Sequence, residues 1–86
     1  MRYRLMYRSS FKKELRRIAS KERQLVTERI LSLANNPRPH GVTKLQGSEK
    51  LYRIRQGDYR VIYAIEDKIV TIEVIKVGHR KDVYEK

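Results

Sequence analysis

From Arg2 to Arg8 the chain alternates, with Tyr3, Leu5 and Tyr7 on one side and Arg2, Arg4, Met6 and Arg8 on the other. A period of two predicts a strand with one buried face. The period then changes. Phe11, Leu15, Ile18 and Ala19 recur at helical spacing, with Lys12, Lys13, Arg16 and Arg17 turned outward. Ser9 or Ser10 is expected to cap this helix, and Ser20, which interrupts the run, to cap a second. Leu25, Val26, Ile30, Leu33 and Ala34 form the second helical stripe. Asn35-Asn36-Pro37-Arg38-Pro39 ends it, because proline has no N–H to continue the ladder. The two helices are expected to form a short antiparallel hairpin.

His40 to Lys50 reads as a loop punctuated by Gly41 and Gly47. Three strands are predicted after it: Leu51 to Arg55, Tyr59 to Glu66, and Lys68 or Ile69 to Val77. Gln56-Gly57-Asp58 and Glu66-Asp67-Lys68 are hairpin-length turns between them. The predicted order is β-α-α-β-β-β, an α+β fold with a small, mainly antiparallel sheet and a helical hairpin on one face. Alternation separates Tyr52 and Ile54 from Arg53 and Arg55. It also separates Val61, Tyr63 and Ile65, expected to meet the helices, from Arg60, Ile62 and Ala64. The arginines are therefore expected on the sheet face that the helices leave open. Glu73, inside an apolar strand, is expected to pair with a nearby arginine.

With 86 residues the chain makes one domain, residues 1–86. A domain of this size buries roughly 60% or more of its unfolded surface, enough for one modest core. There are no cysteines, so neither a disulfide nor a thiolate metal site is available. That absence suits a cytoplasmic protein. No apolar run approaches the roughly 20 residues that cross a bilayer, and the basic start lacks the apolar stretch of a secretory signal. No partner membrane is expected. The balance of 21 Lys and Arg against 10 Asp and Glu gives a formal charge of +11. A charge of that size, spread over both halves of the chain, points to a polyanionic partner.

Four arginines and a tyrosine stand where such a partner would need them. Arg53 and Arg55 share a strand face, Arg60 opens the next strand, Arg80 follows Val77-Gly78-His79, and Tyr84 comes soon after. Cations at these places suit a phosphodiester. Lys44-Leu45-Gln46-Gly47, Tyr52-Arg53-Ile54-Arg55, Asp58-Tyr59-Arg60-Val61-Ile62-Tyr63 and Val77-Gly78-His79-Arg80-Lys81-Asp82-Val83-Tyr84 occur in that order. Together they resemble the RelE branch of the RelE/ParE toxins of bacterial and archaeal toxin–antitoxin pairs, over essentially the whole chain.

The resemblance implies a ribosome-dependent endoribonuclease that cuts mRNA in the ribosomal A site. It implies attack by the nucleotide's own 2′-OH without a metal or other cofactor. The products would be a 2′,3′-cyclic phosphate and a 5′-OH. It also implies a RelB-like antitoxin as protein partner, beside the ribosome and mRNA. Carried over by position, Arg53 and Arg55 match the family's paired basic residues and Arg60 its phosphate-binding arginine. Arg80 matches the arginine after Val-Gly, and Tyr84 the tyrosine near the C-terminus. Lys44, Lys50 and Lys81 are the lysines expected to contact RNA.

The chain departs from the family pattern where lysines are replaced by Arg53 and Arg55. One of those lysines is held to be the base, and arginine keeps its proton far above neutral pH. His79, Tyr84, a ribosomal group or no discrete base are the alternatives. The Arg80-to-Tyr84 spacing is also shorter than in the pattern, and any terminal helix is expected to be short or absent. Two other functions use the same charge. A ParE-like protein would bind DNA gyrase without cutting RNA, and a plain RNA-binding module would need no antitoxin.

Overall fold

A computed structural model of the chain describes residues 2–81. Their order is β1 (Arg4–Tyr7), α1 (Ser9–Arg16), α2 (Ser20–Ser32), β2 (Thr43–Lys44), β3 (Leu51–Gln56), β4 (Tyr59–Glu66) and β5 (Thr71–His79), with a 3₁₀ turn at Asp67–Ile69. The sheet runs β1-β5-β4-β3-β2. β1 pairs parallel to β5, and every other neighbouring pair is antiparallel. The fold is α+β, as the periodicity predicts.

The apolar stripes account for the layers. Phe11 and Ile18 meet Val26, Ile30 and Leu33 of the second helix, and this surface closes over Tyr52, Ile54, Val61, Tyr63, Ile65, Ile72, Val74 and Val77. Val61, Tyr63 and Ile65 are buried on the helix side, as expected. Glu73 pairs with Arg8 at 3.6 Å. A second set of contacts secures the end of the sheet near the α2–β2 loop. Arg38 donates to Asp67 Oδ2 at 2.8 Å and to the Tyr52 hydroxyl at 3.2 Å, and the Tyr3 hydroxyl donates to Asp67 Oδ1 at 2.7 Å. The Tyr63 hydroxyl donates to the Pro37 carbonyl at 2.7 Å, and burial raises its pKa above the usual tyrosine value.

Several boundaries differ from the sequence reading. The serines do not cap: Arg8 and Ala19 hold the N-cap positions, and neither helix start has a side-chain cap hydrogen bond. β1 is shorter than Arg2–Arg8, because only four of its residues find register on β5. The loop before β3 contributes a two-residue strand, β2, whose Thr43 and Lys44 face Arg53 and Tyr52. The turn after β4 is longer than the three residues expected. Val70 closes the 3₁₀ turn in the left-handed region, at φ 49°, and β5 starts only at Thr71 and runs on to His79. By contrast, the hairpin between β3 and β4 is tight. Gln56 faces Tyr59, and Gly57, at φ 62°, supplies the left-handed first position that side chains disfavour.

Candidate functional site

Register decides which cations meet. Arg55 stands opposite Arg60, Arg60 opposite Gly78, and Arg53 opposite Ile62. Arg53, Arg55 and Arg60 therefore share one face, the one turned from Val61, Tyr63 and the helices. Gly78 has no side chain of its own to cover the row. Directly opposed residues in an antiparallel pair have Cβ atoms about 4.5–5.5 Å apart, and like charges there repel. The fold holds Arg55 and Arg60 in that relation.

Each cation has its own setting. Arg60 is 9% exposed, lower in the surface than alternation alone predicts. Arg53 is half-buried and Arg55 exposed. Arg55 Nε donates to the Gly57 carbonyl at 3.0 Å, which ties its guanidinium to the hairpin turn. Arg80 lies just past β5 with an exposed side chain, and its backbone N–H donates to the Asp58 carbonyl at 2.8 Å. Asp58 belongs to the same turn that steadies Arg55, so this hairpin holds Arg80 near one end of the arginine row. Lys81 is exposed beside Arg80. Tyr84 lies outside the described residues.

The structure does not bring His79 to this face. β5 carries a bulge where Ile62 faces Lys76 but Tyr63 faces Val74. The extra residue, Ile75, moves everything after it to the other side of the sheet. Val77 is thereby buried in the core, and His79 faces Tyr59, with the rings edge-to-face at 5.8 Å. The His79 Nδ1 accepts the Lys81 N–H at 3.3 Å. A cleft of about 260 Å³ on this side is lined by Glu14, Ile18, Tyr59, Lys76 and His79, among others. Lys44 pairs in register with the core-facing Tyr52, so it too is apart from the arginines. Lys50 forms an ion pair with Glu66 at 3.0 Å.

Two residues that the sequence reading passed over shape this end of β5. Past the last residue of β1, β5 has no neighbour on that side, and its N–H groups need partners. Glu14 of α1 supplies one: its Oε1 accepts the Val77 N–H at 3.0 Å. Lys76, in the row of Arg53 and Ile62 by register, gives its ammonium to Glu14 Oε2 at 3.3 Å. The sequence hints at the bulge without fixing it. Val74 and Ile75 are consecutive apolar residues in an otherwise alternating strand.

Comparison with known proteins bears on the fold and the family. The family model described as the ParE toxin of the type II toxin–antitoxin system parDE matches residues 5–84. The chain belongs to the RelE/ParE toxin family. Its relatives put it among the RelE-type toxins. It is 34% identical over 73 residues to Toxin RelE of Mycobacterium tuberculosis, covering 84% of this chain and 75% of that one. It is 32% identical over 71 residues to the mRNA interferase toxin RelE of Escherichia coli, covering 80% of this chain and 74% of the other. The toxin's fold superposes on the archaeal RelE–RelB complex of Pyrococcus horikoshii with a TM-score of 0.82. That match has 33% identity and covers 93% of this chain and 97% of that one. This RelE-type toxin therefore carries its row of arginines on a shared family scaffold.

Proposed function

We propose that this toxin is an mRNA endoribonuclease that acts in the ribosomal A site, and that the row of Arg55, Arg60 and Gly78 with Arg53 beside it receives the scissile phosphate. That row is the observation that carries the reading. The relative named mRNA interferase supports the same reaction class. In the reaction, the 2′-oxygen forms a bond to phosphorus and the bond from phosphorus to the 5′-oxygen breaks. The 2′-OH proton leaves to a base, and a proton arrives on the departing 5′-oxygen. The products are a 2′,3′-cyclic phosphate and a 5′-OH, and no metal or cofactor takes part.

Negative charge grows on the phosphorane oxygens as the bond forms. Guanidinium groups fixed in advance stabilise that charge more than they stabilise the ground state. Arg60, low in the sheet, and Arg80, whose backbone is held by Asp58, are assigned to the phosphate. Arg53 and Arg55 are assigned to the same phosphate or its neighbour, where the planar fork suits two oxygens at once. None of these arginines is a base near neutral pH. The described face thus supplies position and charge, and the base comes from Tyr84, from the ribosome or from solvent. The partners are a RelB-like antitoxin, the ribosome and mRNA, and the compartment is the cytoplasm. An acidic or amphipathic antitoxin segment would shield the arginine row.

The test is cleavage of A-site mRNA on programmed ribosomes. Arg80→Ala is the cleaner variant because its side chain is exposed, and it should slow cleavage by about 10²–10³-fold, by analogy with loss of one oxyanion donor. Arg60→Ala should do the same, with circular dichroism to confirm that the buried site still folds. Both should still bind ribosomes. Cleavage by Arg80→Ala and Arg60→Ala at the wild-type rate would overturn the site. Stalled gyrase–DNA complexes with no mRNA cuts would replace the reaction with gyrase inhibition.

A further inference from the structure

The cleft beside His79 has no part in the proposed reaction. It lies along the stretch of β5 that runs past β1, between that strand and the C-terminal end of α1. Two residues of its lining also belong to the arginine face. Gly78 stands opposite Arg60, and Lys76 stands opposite Ile62, in the row of Arg53. Lys76 nonetheless brings its ammonium to Glu14 Oε2 at 3.3 Å, so its side chain crosses the strand edge toward α1. Gly78 has no side chain, and among the described residues no strand pairs with β5 on that side beyond Val74. The cleft and the arginine row therefore meet across the edge of β5.

The volume is about 260 Å³, a little below the roughly 300–1,000 Å³ of sites for drug-sized molecules. Its lining is mixed in a particular way. Tyr59 and His79 supply two rings, set edge-to-face at 5.8 Å, and Ile18 and Val77 supply apolar wall. Arg17 and Lys76 supply positive charge and N–H donors. The acid of the lining, Glu14, is engaged by the Val77 N–H and by Lys76. Among the described residues no ion pair engages Arg17, and the Lys76 ammonium has further N–H groups to give. A bare phosphate would meet the cations and leave the rings unused. An apolar side chain would cover the rings and leave the cations unanswered. A nucleotide meets both, because its base stacks on an aromatic face and its phosphate is drawn to Lys and Arg.

We propose that this cleft is a subsite for one nucleotide of the RNA strand, the one adjoining the phosphate held by Arg60 and Arg80. The strand would cross Gly78 with its scissile phosphate on the arginine row. Its next base would turn around the edge of β5 onto Tyr59 and His79. His79 is then a binding residue and not the base of the reaction. The inference rests on the endoribonuclease reading and adds how the message is gripped beside the cut.

The test uses the full chain and an RNA trinucleotide with 2′-deoxy sugars, which binds without reacting. Two further trinucleotides each lack the base at one end. NMR titrations are run at about 50 mM salt, where phosphate contacts are strong. The intact trinucleotide should shift the methyl signals of Ile18 and Val77 and the ring signals of Tyr59 and His79. Loss of the base at one end, and not at the other, should weaken binding by about 5–150-fold, the range for one stacked base. In Tyr59→Leu and in His79→Ala, the difference between intact and abasic RNA should shrink, which a merely structural role for either ring would not produce. His79→Ala alone carries this arm if Tyr59→Leu does not fold. Equal binding of all three RNAs, or no shift in the cleft, would overturn the subsite and leave the arginine row and its reaction standing. Cleft signals moved by the antitoxin and not by RNA would overturn it too, by giving the cleft to a protein side chain. Absence of mRNA cuts by the wild-type toxin on programmed ribosomes would overturn the reaction, and with it the subsite's place beside the cut.

Discussion

Arg38 shows how one side chain can hold distant parts of this chain together. It reaches Asp67 and Tyr52 from the loop after α2, and its guanidinium lies over the Tyr52 ring, 5.2 Å from the centroid. Asp67 accepts from Arg38 and Tyr3, so the residue before β1, the α2–β2 loop and the turn before β5 meet on one carboxylate. Those hydrogen bonds, that from Arg38 first and then that from Tyr3, hold the Asp67 pKa below its usual value. The sign follows by linkage: a depressed carboxylate pKa contributes stability above the ordinary value of about 3.9. That contribution is lost as pH falls through the lowered folded value. Asp67→Asn should therefore melt below the wild type at pH 7. The gap should close under acid, once Asp67 is protonated in both states. A gap of constant size from pH 7 to pH 2 would mean that charge has no part in this contact.

At the scale of elements, most of the site was legible in the sequence because strand alternation is a short-range rule. Tyr52 and Ile54 against Arg53 and Arg55 needed only the period of two, and so did the face of Arg60. His79 was not legible in the same way. One extra residue at Ile75 reverses the parity of everything beyond it, and the pairing that creates the bulge is tertiary. β2 escaped for another reason: a two-residue strand is too short to show a period. Glu14 was passed over because its task is to satisfy the N–H of a strand that has run past its neighbour, which no local pattern announces. Removing the acceptor should be felt. Glu14→Ala leaves the Val77 N–H unpaired at a half-buried position and should cost about 1–3 kcal/mol in denaturant unfolding. Glu14→Gln keeps an oxygen for that N–H and loses only the ion pair with Lys76, so its cost should stay at ~0–1 kcal/mol. Equal losses from the two variants would show that the ion pair, and not the backbone contact, is what matters.

For the whole molecule, stability is graded across the sheet. β4 and β5 share the longest register, from Tyr59–His79 to Glu66–Thr71, and their inward side chains are the core. β2 contributes two exposed residues at the opposite edge from β1. Amide hydrogen exchange should therefore be slowest along Val61–Ile65 and Ile72–Val74, and fastest in Thr43 and Lys44, which can open without disturbing the centre. Uniform protection across all five strands would contradict this gradient. The parallel pairing of β1 with β5 has a consequence for synthesis. β1 is translated first and cannot find its partner until β5, the last strand among the described residues, has left the ribosome. The arginine row likewise needs Gly78 and Arg80, made after every other member. A nascent chain thus has no assembled arginine row until β5 has emerged.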